Sequence, residues 1–449
     1  MCDAEAVAPV VSAHTTLDEL DDASGVLFDK TSHQEVSFND SDDKTSGSCS
    51  NSSVSCGDDD ESTCGISLLD LPVEVFLHIC SFLDASTLVH SLSLTCKQFH
   101  MILTDNSIWK VRISKVCQNA TYPILPSIDK DELFWKLSCV ALERQAKLWR
   151  NKDIMMEKLL LSNVHYSAID GLKLMHGGQI CISGGRDRSL VISKLSEEGG
   201  QIGSTAVADA HDGWIWDLTA IKDTVYSCSW DRCVKEWLLT NSGLQPVVTY
   251  ETIVVGALLC VTSCSELGLF ATGSYCKNIV VFDSRSGYKP IANYQPHHRA
   301  VIRLAMNSNY IISASEDKTV NIWDHRTRKS ITSVMISKDS FPMSLCIQKN
   351  LVYVGDSCAN LHILDAKQDF ERVKSYKTEH EKKITGVYVD AGCLITSSLD
   401  RNVHISSPTD PLQSMATLKY SNGEISSIDY LNEVLAISGT DVIEIWRPK

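Results

Sequence analysis

Residues Ser313–Asp324 read SASEDKTVNIWD, two short alternating runs joined by the tight turn Glu316-Asp317-Lys318. Small and apolar residues precede the turn, and Val320, Ile322 and Trp323 follow it, the pattern of a β-hairpin with one buried face. The same pattern returns as SGGRDRSLVISK (183–194), SCSWDRCVKEWL (227–238), TGSYCKNIVVFD (272–283), VGDSCANLHILD (354–365), TSSLDRNVHISS (396–407) and ISGTDVIEIWR (437–447). The residues aligned with Asp317 are 187, 231, 276, 317, 358, 400 and 441, so the spacing is 41–45 residues. Seven copies at that period predict a seven-bladed β-propeller of four-stranded blades.

A second mark fixes the register. His211, His297 and His380 each stand 20 residues before Asp231, Asp317 and Asp400, and apolar residues follow each His at +4 and +7. Trp237 and Trp323 lie six residues after their Asp. A buried turn carboxylate needs donors, and imidazole, hydroxyl and indole groups supply them. These residues are therefore read as structural rather than catalytic. The pattern resembles the WD-repeat family, in which such a His, Asp, Ser/Thr and Trp form a buried network. Cys276 and Cys358 replace the Asp in copies three and five, so those turns must be held another way.

Charge is unevenly spread. The net charge of −15 comes mostly from residues 1–65, with 15 Asp/Glu against Lys30 and Lys44. That Ser-rich acidic segment is expected to be a disordered tail, because it lacks the apolar residues needed to offset chain entropy. Ser37 and Ser55 carry an Asp three residues on, a pattern acid-directed kinases favour; a solvated tail with chance sites explains them equally well. No basic stripe favours nucleic acid. No apolar run is long enough for a transmembrane helix, and MCDAEA does not read as a signal peptide. The 17 cysteines form no C-x-x-C pair or zinc-ligand spacing. They are expected to be reduced thiols of a cytoplasmic or nuclear protein, with no metal and no cofactor. There is no Gly-rich phosphate loop and no nucleophile motif, so no catalytic residue is assigned and an enzyme is not expected.

Composition changes at Ile66. In residues 66–112, Pro72 suits a helix start, Val75, Phe76, Ile79 and Leu83 recur at helical spacing, and Asp84 can cap a next helix with the face Leu88, Leu92 and Cys96. This small all-α unit resembles the F-box family through Leu71-Pro72-Val73-Glu74, Leu83-Asp84, Leu88, Leu92, Cys96-Lys97, Phe99 and Trp109, with Phe99 where that family usually has Trp. The resemblance implies binding to the S-phase-kinase-associated adaptor of cullin-RING ubiquitin ligases. Leu71 and Pro72 are the expected contacts; Ile79, Leu83 and Leu88 fit partner contact and internal core about equally. Residues 113–152 form a helical linker whose helix, 129–150, starts at Asp129 and Glu132 and turns Phe134, Leu137, Ala141 and Leu148 to one side.

The propeller spans 153–449. The last copy stops three residues after its inner strand pair, so Ile154–Ser162 is expected to supply the missing outer strand of blade seven. Blade one then begins near His165. Taken together, residues 66–449 resemble F-box/WD-repeat proteins, which implies a substrate receptor of an SCF-type ubiquitin ligase; a non-degradative scaffold remains the alternative. On such propellers the residues three and five after the His, and the one before the turn Asp, face the top rim. These are Arg186 in blade one, Trp214, Trp216 and Trp230 in blade two, Tyr275 in blade three, Ala300, Ile302 and Glu316 in blade four, Phe341 and Met343 in blade five, and Lys383, Thr385 and Leu399 in blade six. Of these, Arg186, Trp214, Trp216, Trp230, Tyr275, Phe341 and Lys383 are the candidate substrate contacts. The set is aromatic, not the Arg cluster that phosphate recognition requires. Packing of some of these rings between blades, Trp216 first, is the competing reading.

Overall fold

The computed structural model describes residues 68–125, 133–195, 203–251 and 256–449. The acidic segment with Ser37 and Ser55, and the expected helix start at Asp129 and Glu132, lie outside the described residues. Ile66–Lys449 is one compact unit, all-helical at first and all-β afterwards.

The helical part opens with α1 (Val73–Cys80), capped by the carbonyl of Pro72, which accepts from Val75 and Phe76. Asp84 caps α2 (Ala85–His90) by accepting from the Thr87 amide at 2.7 Å. Leu92 and Cys96 are not on α2, contrary to the face expected from spacing. The chain breaks after His90, passes through a short 3-10 turn at Leu92–Leu94, and Cys96 caps α3 (Lys97–Thr104) through its sulfur. With α4 (Asn106–Cys117) these helices close a core of Phe76, Cys80, Ala85, Leu88, Phe99, Leu103, Trp109 and Ile113. Phe99 stacks on Phe76 at 4.4 Å, so a phenyl ring fills its place fully.

The linker helix α5 spans Phe134–Arg150. Its buried face matches the expected row only in part: Leu148 is buried, Phe134 and Ala141 are half-buried and Leu137 is exposed, whereas Cys139, Leu142, Ala146 and Trp149 are also buried. The helix serves two cores at once. Cys139 and Leu142 pack into the helical core, while Ala146, Leu148 and Trp149 pack against the last two blades. Gln145 Oε1 accepts from Trp149 Nε1 (2.9 Å) and from the Tyr430 hydroxyl (3.0 Å), tying α5 to blade seven.

Seven four-stranded antiparallel sheets follow. Six are sequential, from Ile169–Met175 as the innermost strand of blade one to Gln413–Lys419 as the outermost of blade six. The seventh is built from Ser427–Leu431, Val434–Ser438, Ile443–Pro448 and the early strand Met156–Leu161. That strand runs antiparallel to Ile443–Pro448, with Met156 opposite Pro448 and Leu161 opposite Ile443. The expected closure is thus what the fold uses.

In blades two, four and six the buried networks take the expected form. His Nδ1–H donates to the turn carboxylate at 2.8 Å (His211–Asp231), 3.1 Å (His297–Asp317) and 2.9 Å (His380–Asp400). Nε2 meets Ser227, Ser313 or Thr396. Trp237 Nε1 donates to Ser227, and Trp323 stacks on Tyr294. Blade one has the same set in His165, Asp187 and Ser183, with the His 22 residues before the Asp instead of 20. In blade five the work moves two residues back. Buried Asp356 accepts from Ser340, Asn360, the Cys358 amide and His362. In blade three, Ser274 bonds Asn278 across the turn, and Gln295 reaches the Cys276 carbonyl.

Burial pushes Asp187, Asp231, Asp317 and Asp400 up, but hydrogen bonds from His or Thr side chains and backbone amides outweigh it, and all four sit below the usual carboxylate value. Burial also lowers His297, with partial offset from Asp317. Both shifts have one sign. A depressed carboxylate contributes stability above its unfolded pKa and loses it as pH falls through the folded value; a depressed, neutral His likewise loses stability as pH falls below about 6.5. Thermal melting across pH 8 to 4 should therefore show a shallow decline starting near pH 6.5 and a steeper one below about 4. A melting temperature that stays flat to pH 4 would contradict these networks.

Candidate functional site

Two surfaces carry exposed apolar or aromatic residues at positions singled out by the sequence. The first is on the helical part. Pro72 is exposed and Leu71 half-buried, and Ile79 and Leu83 are at the surface. Leu88 is not: it is 1% exposed and packs in the helical core, so its assignment as a contact residue is corrected. Its position on α2 faces inward because Ala85, Leu88 and Val89 form that short helix's buried side. Val75, placed by the sequence on the helical row but not among the contacts, is exposed as well, and Phe82, not singled out at all, is 78% exposed beside Leu83. Val75, Ile79 and Phe82 are spaced at i, i+4 and i+7, which was the available signal. The patch is braced from behind. Arg112 donates to the carbonyls of Cys80 and Leu83 at the end of α1 and pairs with Glu143 of α5, which in turn accepts from the Ala85 amide at 2.8 Å.

The second surface is the mouth of the propeller. One hollow of about 610 Å3 is lined by Arg186, Trp214, Trp216, Trp230, Tyr275, Ile302, Glu316, Phe341, Met343, Lys383, Thr385 and Leu399. Every substrate-contact candidate lies on it. Ala300 does not; it is buried under the rim. Asp170, Leu259, Arg303, Glu424 and Ser426 also line the hollow and were not foreseen. Below it, a polar shaft of about 240 Å3 runs between the innermost strands. Arg303–Asp217 at 3.0 Å and Lys173–Asp429 at 3.0 Å are the ion pairs within the shaft.

The rim has a regular construction. The residue before each turn donates its amide to a carbonyl at the head of the same blade's inner strand: Arg186 to Ala168, Trp230 to Trp214, Tyr275 to Ala257, Glu316 to Ala300, Ser357 to Phe341 and Leu399 to Lys383. Six blades thus present one side chain each at an equivalent height. In blade two the three indoles pack together, with centroids 6.0 Å (Trp214–Trp230), 6.1 Å (Trp216–Trp230) and 6.5 Å (Trp214–Trp216) apart. Trp216 is half-buried against the core between blades two and three. Trp214 and Trp230 remain 44% and 47% exposed.

Residues 68–114 match the F-box-like family model, and residues 288–324 match the WD domain, G-beta repeat model. The chain is 30% identical over 388 residues to F-box/WD repeat-containing protein 9 of Homo sapiens, covering 85% of this chain and 82% of that protein. The Bos taurus protein of the same name matches over the same extent. F-box/WD repeat-containing protein mec-15 of Caenorhabditis elegans is 27% identical over 391 residues. The chain belongs to the F-box/WD-repeat family.

Within this family the state of Arg186 bears on what the mouth can read. A candidate substrate contact by its place on the rim, it is committed within the chain. Nε donates to Asp170 Oδ2 at 2.8 Å and Nη2 to Oδ1 at 3.3 Å, and the guanidinium lies 5.4 and 5.0 Å from the Trp214 and Trp216 rings. Asp170 is buried, so a cation had to be drawn to it, and the paired arginine became a prop for the indoles. Among the described residues no three His, Cys, Asp or Glu side chains are grouped to hold a metal, every cysteine is free, and no helix is long and apolar enough to cross a membrane.

Proposed function

We propose that this chain is the substrate-recognition subunit of an SCF-type cullin-RING ubiquitin ligase, without a catalytic residue of its own. The F-box patch around Leu71, Pro72, Ile79 and Leu83 engages the S-phase-kinase-associated adaptor, and the propeller mouth engages a protein substrate. The observation that carries this reading is that one compact unit offers an exposed apolar helix end and an aromatic-lined mouth, joined through α5. Exposed Trp and Tyr side chains are the residue types that dominate protein-binding anchors. Family membership gives the two modules their ordinary tasks. The chemical test is co-purification of adaptor and cullin with the full chain, together with substrate lifetime with and without the chain. Adaptor and cullin binding with an unchanged lifetime of bound proteins would favour the non-degradative scaffold.

The charges at the mouth predict the kind of substrate dependence. Asp170 pairs with Arg186, Asp217 with Arg303, and Glu424 with Lys382 at 2.8 Å. Among the described residues the mouth holds Arg186 and Arg303, both paired, and no cluster of free guanidinium groups to receive a phosphate, which needs bidentate donors. Substrate binding should therefore survive phosphatase treatment of the lysate, and Trp214→Ala or Trp230→Ala should each weaken it by roughly tenfold or more. Loss of binding on phosphatase treatment, with both Trp variants binding normally, would refute this reading of the mouth.

A further inference from the structure

Resting on the receptor reading, we propose that the mouth selects a basic side chain, Lys or Arg, seated over Trp230 and Tyr275 with Glu316 as its counter-ion. Trp230, Tyr275 and Glu316 occupy the same rim position in blades two, three and four, fixed by the same backbone hydrogen bond in each. They therefore stand side by side as one arc of a single hollow. Trp230 and Tyr275 are 47% and 58% exposed, so their rings are open to a ligand.

The space beside them is also open. The residues that receive those backbone bonds are Trp214 in blade two but Ala257 and Ala300 in blades three and four. Indoles fill the rim of blade two, whereas blades three and four carry only small, buried methyl groups at that position, and the hollow beside Tyr275 and Glu316 is lined by Leu259 and Ile302. A long aliphatic stem ending in a cation fits such a site: the stem lies on Leu259 and Ile302, and the head meets aromatic faces and a carboxylate.

Charge decides between a cation and a neutral ring. The other carboxylates of the hollow are compensated: Asp170 by Arg186, and Glu424 by a hydrogen bond from Lys382, with Lys383 alongside. Among the described residues the Glu316 carboxylate has neither an ion-pair nor a hydrogen-bond partner. Phe341 and Met343 of blade five lie between it and Lys383 of blade six. A half-enclosed carboxylate without a partner, next to two open aromatic faces, is a site for positive charge. The molecule already contains this arrangement once, where Arg186 lies against Trp214 and Trp216 with Asp170 as its anion. The arc on blades two to four repeats the set of rings and carboxylate with the cation left for a partner to supply.

The test is selection from a displayed random peptide library on the full chain bound to its adaptor. Peptides retained by the wild type should carry Lys or Arg. A selected peptide should lose roughly tenfold in affinity against Trp230→Ala and against Glu316→Gln, and more against Glu316→Lys, while Lys329→Met, at an exposed position on the outermost strand of blade four, changes little. Glu316 is on the rim, so its variants should fold, and an unchanged melting temperature checks that. Peptides that need Trp230 but lack a basic residue, or that bind Glu316→Gln unchanged, would overturn this inference and leave the receptor reading standing. Failure to select any peptide that depends on the mouth, with the adaptor still bound, would overturn both this inference and the mouth's part in the proposed function.

Discussion

Protein beginning at Asn163 should be recovered insoluble or unfolded, whereas protein beginning at Asn151 should be soluble and melt cooperatively. Both lack α5, so the comparison isolates the strand Met156–Leu161. That strand covers the whole edge of Ile443–Pro448 in register. Without it, a row of unpaired amides and carbonyls faces solvent in blade seven, a template for aggregation. Met156 and Leu161 are both nearly fully buried. Their burial alone contributes about 4 kcal/mol, a large share of a typical domain's stability of about 5–15 kcal/mol. The strand also supplies a charge. Glu444 is wholly buried in blade seven, where Lys158 pairs with it at 2.9 Å and Trp446 Nε1 donates to it at 2.6 Å. In the full chain, Lys158→Ala should cost about 3 kcal/mol by stranding that carboxylate, and Glu444→Gln in the same background should recover part of the loss. Size-exclusion chromatography and thermal melts decide it; equal behaviour of the two truncated proteins would mean the ring closes by other contacts.

This closure was legible in the sequence because a blade's period is local. Each copy carries its own hairpin and turn, so one missing strand shows as a deficit at one end, and MEKLLL at the other end has the right length and character. The mouth was legible for a related reason. The turn and the His fix where each blade meets the rim, and the shared amide-to-carbonyl bond keeps those positions equivalent even where the Asp is lost. What periodicity could not reveal is pairing across blades or between distant parts. Nothing near Arg186 marks Asp170, 16 residues earlier, as its partner; the inner strand brings them together. The replacement of the blade-five network by Asp356 kept the hydrogen-bond chemistry and moved its position, which a scan for an aligned residue misses.

The helical errors have a different origin. A helical face reports burial reliably when one body lies on one side. α5 lies between two cores, so its buried residues wrap from Cys139 and Leu142 around to Trp149, and a single stripe through Leu137 and Leu148 meets the second core at Leu148 and misses the buried Cys139 and Leu142 of the first. The α2 reading failed because spacing alone carried the helix past His90, whereas the chain turns there and Cys96 starts a new helix. Leu88 shows the same limit at a single residue. An apolar residue at a family position is compatible with partner contact or with core, and only packing separates the two.

That separation makes the adaptor prediction sharp. Leu71→Ala with Pro72→Ala should strip adaptor and cullin from a pull-down while the propeller keeps its melting transition. Pro72 is exposed at the start of α1, and Leu71 is half-buried beside it. Val75, Ile79, Phe82 and Leu83 add further exposed apolar side chains along and just after α1, and apolar exposure of this kind on a small helical unit marks a protein-binding site. Truncating apolar anchors in such an interface commonly costs about 2 kcal/mol or more, roughly a thirtyfold loss of affinity. Alanine in place of Pro72 leaves the α1 backbone free to form, since the cap there is made by the residue's carbonyl and not by its ring. Phe82→Ala should weaken the adaptor further without unfolding the helices, because its ring is mostly in water. Leu88→Ala should do the reverse. It removes a fully buried side chain from the helical core that also holds Phe76 and Leu103, so it should cost about 3 kcal/mol of stability in the helical unit and lose adaptor only through unfolding. Pull-down yield read against the helical melting transition distinguishes the two effects. Undiminished adaptor recovery by the Leu71/Pro72 double variant would remove these residues from the interface.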